Sequence, residues 1–131
     1  MTDSLLSRVS GLLSEIGKVA SSDPESLVVQ VGSTSASIRV LALADGLDVL
    51  AITQLIALDL PNTEQLRDDV ETCGAQLSFG SLRRSDPQGV TTDVLQYYTF
   101  PAGNLDDIPL LTVLHIVLTS GADAATRLVG N

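Results

Sequence analysis

Tryptophan is absent from this 131-residue chain, and aromatic residues of any kind make up only 3% of it. The four are Phe79, Tyr97, Tyr98 and Phe100, too few to supply a series of base-stacking platforms. Basic residues are also scarce: seven lysines and arginines stand against sixteen acids, a net charge of −9. Nucleic acid is excluded as the expected partner, because binding it needs a cationic footprint that neutralises phosphates. The single cysteine, Cys73, excludes an internal disulfide and a cysteine zinc site. Placed against Gly74 at an expected helix end, it reads as a small buried thiol.

Signatures of chemistry are missing too. The only histidine, His115, sits in the most apolar part of the chain without the partners of a triad or a metal site, and reads as a core or interface residue. No G-x-S-x-G, H-E-x-x-H or C-x-x-C occurs. The Gly32–Ser37 stretch is glycine- and serine-rich but lacks the P-loop pattern and joins two strands. Asp68, Asp69 and Glu71 diverge around a helix and lack calcium-loop spacing. The expectation is a protein that is not an enzyme, with no catalytic residues, no cofactor and no metal. The N-terminus has no basic segment followed by a long apolar one, and Leu110–Leu118 is too short to span a bilayer, so a cytoplasmic protein without a membrane partner is expected.

Apolar residues, by contrast, are plentiful. They make up 44% of the chain against 18% charged, which describes a folded globule large enough to bury its own core, read as one domain over residues 1–131. The stretch from Leu27 to Leu60 organises it: LVVQV, the Gly/Ser loop, IRVLALA, an Asp45-Gly46 turn suited to type I′ geometry, and a long apolar run to Pro61. This reads as three antiparallel strands. Leu27, Val29, Val31, Ile38, Val40, Ala42, Ala44, Leu50, Ile52, Ile56 and Leu58 are assigned to the core. Val28, Gln30, Arg39, Leu41, Leu43, Val49, Thr53 and Leu55 fall on the opposite face. That second face is also mostly apolar, so either a further layer of the chain covers it or a partner does. A one-residue shift of phase would exchange the two faces.

Helices flank the meander. Leu5, Leu6, Val9, Leu12, Leu13, Ile16 and Val19 make one stripe of a helix over residues 4–20, with Asp3 or Ser4 as N-cap and weakening glycines at 11 and 17. A second helix opens at Asn62 with a capping-box pattern through Gln65, buries Leu66, Val70 and Cys73, and ends at Gly74 in a left-handed cap. Gln76–Arg84 and Val90–Phe100 form a hairpin around Ser85–Gly89, with Arg83 and Arg84 as surface charges at a strand end. The third helix runs from the Asp106-Asp107 region to about Val129, and its first turns are apolar all round, implying burial on more than one side.

The order is therefore helix, three strands, helix, two strands, helix, an α+β fold with one antiparallel five-stranded sheet. That order, with LVVQVG at 27–32, DVLQYYTFPAG at 93–103 and TVLHIVLTSGADAATRL in the last helix, resembles class I type III secretion chaperones of the Tir-chaperone type and the YbjN-like proteins. The resemblance implies a cytoplasmic, often dimeric, peptide-binding chaperone or regulator that holds an extended client segment on apolar surface. The residues expected to receive the client are Val28, Arg39, Leu41, Leu43, Val49 and Leu55, and the surplus of apolar surface adds a homodimer. The alternative is a structural or signalling adaptor committed to a fixed dimer or hetero-complex, as in roadblock-type dimers, although that fold places two strands between its first helices.

Overall fold

The protein is described by a computed structural model over residues 2–129, with the side chains of residues 2–4, 21 and 22 outside the description. Its elements are α1 (Thr2–Leu13), β1 (Lys18–Ser22), β2 (Ser26–Val31), β3 (Thr34–Ala44), β4 (Leu47–Pro61), α2 (Glu64–Ala75), β5 (Ser81–Arg84), β6 (Thr91–Pro101) and α3 (Asp107–Val129). All pairings are antiparallel, in the order β1-β2-β3-β4-β6-β5. The α+β class and three helices agree with expectation, but the sheet has six strands where five were expected.

The extra strand comes from the first helix, expected to reach residue 20. It ends at Leu13, and Lys18–Ser22 pairs with β2 instead. Gly17 makes the crossing feasible, since a Cβ there would come within 2.2 Å of the Gln30 backbone oxygen. Ile16 and Val19 still pack against the core, so the hydrophobic periodicity was real while the backbone conformation was decided by β2's unpaired edge. The N-cap expected at Asp3 or Ser4 falls on side chains outside the described residues.

Other local expectations shift in the same way. Of the Asp45-Gly46 pair only Gly46 has positive φ (77°), and the ladder slips between Ala42 and Ala44, so the hairpin closes with a bulge and not as a type I′ turn. Ala42, Ala44 and Leu58, assigned to the core, are exposed at the ends of their strands. Thr63 caps α2 by accepting from the Leu66 N–H at 3.1 Å, leaving Asn62 to donate to the Asp86 and Gly89 carbonyls and accept from Arg84. Gly74 lies inside that helix, whose C-cap is Gln76 in a right-handed conformation. Cys73 is buried, as expected.

All three helices pack on one face of the sheet. Leu5, Leu6, Val9 and Leu13 of α1, with Leu110, Leu114, Val117 and Leu118 of α3, meet Leu27, Val29, Ile38, Leu50 and Ile52 in a first apolar cluster. Leu66, Val70 and Cys73 of α2, with Ala124 and Ala125 of α3, meet Ile56 and Val94 in a second. Arg8 ties α1 to the start of α3 through Asp107 (2.8 Å) and the Leu105 carbonyl (2.6 Å). Although α3 is by length and composition able to cross a membrane, its Leu110, Leu114 and Leu118 are fully buried against the sheet. Its outer side is not covered all round: Ile108 is 80% exposed and His115 is exposed, contrary to a core histidine.

Candidate functional site

Strand alternation sends every second side chain of the sheet away from the helices. The cross-strand register defines that free face row by row. One row reads Val28, Ser37, Thr53, Tyr97 and Ser81, and a neighbouring row reads Ser26, Arg39, Ala51 and Thr99. A third reads Leu41, Val49 and Pro101. Facing the helices instead are Leu27, Val29, Ile38, Leu50, Ile52, Gln54, Val94 and Gln96, all buried. The phase read from the sequence is therefore the one observed.

Five of the six residues expected to receive a client share this face: Val28, Arg39, Leu41, Val49 and Leu55. Leu43 sits in the bulge between Ala42 and Ala44, outside the paired register, and is 63% exposed. The six do not make one continuous apolar patch. Leu41 and Val49 are paired at one end of the face and Leu55 lies beside Leu95 at the other, with Ser37, Thr53, Ser35 and Arg39 between. Val49, expected to be available, is only 5% exposed, so Leu41, Leu43 and Arg39 offer more accessible surface than it does.

Two features escaped the sequence reading. The first is Tyr97, 37% exposed on the free face, with the Arg83 guanidinium 5.2 Å from its ring centroid. The second lies on the buried face, where Gln54 and Gln96 are fully buried between the two apolar clusters. Gln54 donates to the Thr34 hydroxyl (2.8 Å) and the Leu118 carbonyl (3.0 Å), and accepts from Gln96, which also donates to the Val117 carbonyl (3.1 Å). The available signal was their position: Gln54 has the same alternation as Leu50, Ile52 and Ile56, so it had to point inward. These glutamines pin α3 to the sheet and leave the free face as the accessible broad surface.

Hollows elsewhere are smaller features of the helical side. One of ≈ 430 Å³ between α2 and β5 is lined by Arg67, Glu71, Ser81 and Arg84, and one of ≈ 360 Å³ between the α1 exit and α3 by Glu15, Ile16, Leu111 and His115. Among the described residues, no three histidine, cysteine or acidic side chains gather as a metal set would.

No family model matches the sequence, and no curated protein matches it. Solved structures do resemble the fold. YbjN from E. coli, described as "a putative transcription regulator", aligns over 95% of this chain and 91% of its own with a TM-score of 0.63 and 8% identity. An uncharacterized protein from Methanothermobacter thermautotrophicus aligns over 99% of this chain and 98% of its own, with a TM-score of 0.62 and 12% identity. At such identities the likeness concerns the fold alone, and it gives this chain a YbjN-like fold.

Proposed function

We propose that this chain is a non-enzymatic protein-binding domain, chaperone-like or regulatory, which holds an extended segment of a partner on the free face of its sheet. The observation that carries this reading is the one-sided packing: six strands are covered by helices on one face only, and the other combines half-buried apolar side chains with hydroxyls and cations. A surface of that mixture allows an extended segment to bury a few side chains while its polar groups find partners. The description of YbjN as "a putative transcription regulator" suits a binding role for the fold, and the net charge of −9 favours regulation through protein over direct nucleic-acid contact. The fold likeness is to YbjN and not to a type III secretion chaperone, so the idea of an unfolded client rests on the sequence resemblance alone.

The adaptor reading draws on α3. Its outer side presents Ile108, Leu111, His115 and Ile116 beside Ile16, an apolar strip suited to a second copy of the chain. The two readings separate in one experiment. A photo-crosslinking residue placed at Thr99 on the free face, and separately at His115 on α3, is activated in cells and the adducts are identified by mass spectrometry. Partner-binding predicts adducts of another polypeptide from position 99. Adducts of the chain with itself from position 115, and none from 99, would establish the fixed dimer and overturn the free-face reading.

A further inference from the structure

In an acidic protein the free face of the sheet is basic, and we infer from this that it accepts an acidic segment of a protein partner. The inference rests on the protein-binding reading above and specifies its chemistry. One row of the register crosses all six strands: Lys18, Gln30, Ser35, Leu55, Leu95 and Arg83. A cation stands at each end of it, and Arg39 stands on the same face between them, opposite Ser26 and Ala51. With strands spaced by ~4.8 Å, five steps separate Lys18 from Arg83 by about 24 Å, the reach of seven or eight extended residues.

The charge distribution is one-sided. Three of the seven bases share this face, and all three are exposed. None pairs with a carboxylate among the described residues, where the ion pairs are Arg8–Asp107 and Arg67–Glu64. The acid whose strand alternation puts it on this face is Asp93, beyond Leu95 at the end of β6, and its carboxylate accepts the Asp59 N–H at 3.0 Å. Asp48 alternates to the other face, and Asp59 sits at a bulge. The Arg83 guanidinium carbon lies 5.2 Å from the Tyr97 ring centroid, a cation–π approach that limits the freedom of the exposed side chain. Hydroxyls of Ser35, Ser37, Thr53 and Thr99 surround the cations, able to hydrogen-bond carboxylates.

Other occupants fit less well. A second copy docking the same face by two-fold symmetry would set like cations on like cations. Nucleic acid would find three cations but a strongly negative protein around them, and a lone aromatic ring on the face, Tyr97, that already has Arg83 beside it. An acidic peptide carries few charges, so local attraction to the face outweighs long-range repulsion at physiological salt.

Selection of a random twelve-residue peptide library on the immobilised full chain tests this. Enrichment of Asp- and Glu-rich peptides is expected, with binding of a synthesised winner weakened at least tenfold in the triple variant Lys18→Glu, Arg39→Glu, Arg83→Glu. The winner should survive Arg39→Lys with Arg83→Lys, and circular dichroism should show the triple variant folded, since all three side chains are exposed. If the triple variant unfolds, Lys18→Gln, Arg39→Gln, Arg83→Gln takes its place with the same expected loss. Enrichment of apolar peptides whose binding ignores these charges would overturn the inference and leave the protein-binding reading standing. Absence of any enrichment would overturn both. A twelve-nucleotide single strand binding more tightly than every selected peptide would assign the face to nucleic acid.

Discussion

Gln96 donates its side-chain amide to the carbonyl oxygen of Gln54 at 2.7 Å, across the β4–β6 ladder and with both residues fully buried. Directly above them α3 carries Gly121, where a Cβ would lie 2.0 Å from Gln54 Oε1. Gln96 Oε1, in turn, has no hydrogen-bond partner and lies 2.6 Å from where a Cβ of Gly80 would stand. Two glycines thus make the room that two buried amides occupy, and the amides hold the helix that keeps one sheet face covered.

Removing one amide should therefore cost more than removing both. Gln54→Leu breaks bonds to Thr34, Leu118 and Gln96 at once and leaves one buried Gln96 amide hydrogen without its acceptor, for an expected loss of ~1–3 kcal/mol. The double change Gln54→Leu with Gln96→Leu should recover much of that, giving a measurable coupling in a urea double-mutant cycle. Gly121→Ala should lose about 1–3 kcal/mol by overpacking. Strict additivity of the two leucine changes would show that the amides do not act as a pair.

Asp59 has φ of 53°, the left-handed region, at the bulge of β4 where the register slips between Ala57 and Leu60. Its backbone N–H donates to the Asp93 carboxylate at 3.0 Å. Asp59→Gly should keep that bond and leave stability unchanged or raised by up to ~1 kcal/mol, whereas Asp59→Val should cost about 1–2 kcal/mol. Thermal melts of the two variants side by side decide it, and equal melting temperatures would mean that the bulge relaxes freely.

Asp23 accepts the backbone N–H groups of Glu25 and Ser26, each at 2.9 Å, and these bonds draw its pKa below the ordinary 3.8. Because the folded value is the lower one, its contribution to stability is present above the unfolded pKa and fades as pH falls through the folded value. Asp23→Asn should thus differ from the parent at pH 6 and converge with it in strong acid. A difference that persisted at the lowest pH reached before unfolding would assign the effect to packing.

The two faces of the meander should respond unequally to substitution. Leu43→Ser, at a 63% exposed position, should change stability by less than about 0.5 kcal/mol. Leu27→Ala, at a position 2% exposed and packed in the main cluster, should cost ~2–5 kcal/mol. Leu41→Ser, half-buried beside Val49, belongs between them. A large loss at Leu43 would mean that the free face is covered in solution.

Much of the fold was legible because alternation is a local property. Leu27, Val29 and Val31 are buried while Gln30 is exposed, just as period two requires, and the same phase carried through Ile38, Val40, Leu50 and Ile52. The free face could be drawn from the same alternation, which puts Val28, Arg39, Leu41, Val49 and Leu55 on one side of the sheet. Where alternation was interrupted the reading failed: Leu43 lies in a bulge, and no single-residue preference announces a slip in a ladder that depends on two strands.

Five of the six strands, their antiparallel pairing and the absence of catalytic motifs were determined by the sequence alone, since hydrophobic period and residue inventory need no tertiary partner. Tertiary structure decided what happens at edges and between layers. Lys18–Ser22 is a strand because β2 offered an unpaired row of backbone groups, not because of its own composition. Gln54 and Gln96 are core because each is the other's partner beneath a glycine, and Lys18, Arg39 and Arg83 form one surface because strands far apart in sequence align in register. Backbone pairing satisfies donors and acceptors across the chain, so the neighbours a residue will have are set by the assembled sheet and cannot be read from the residues beside it.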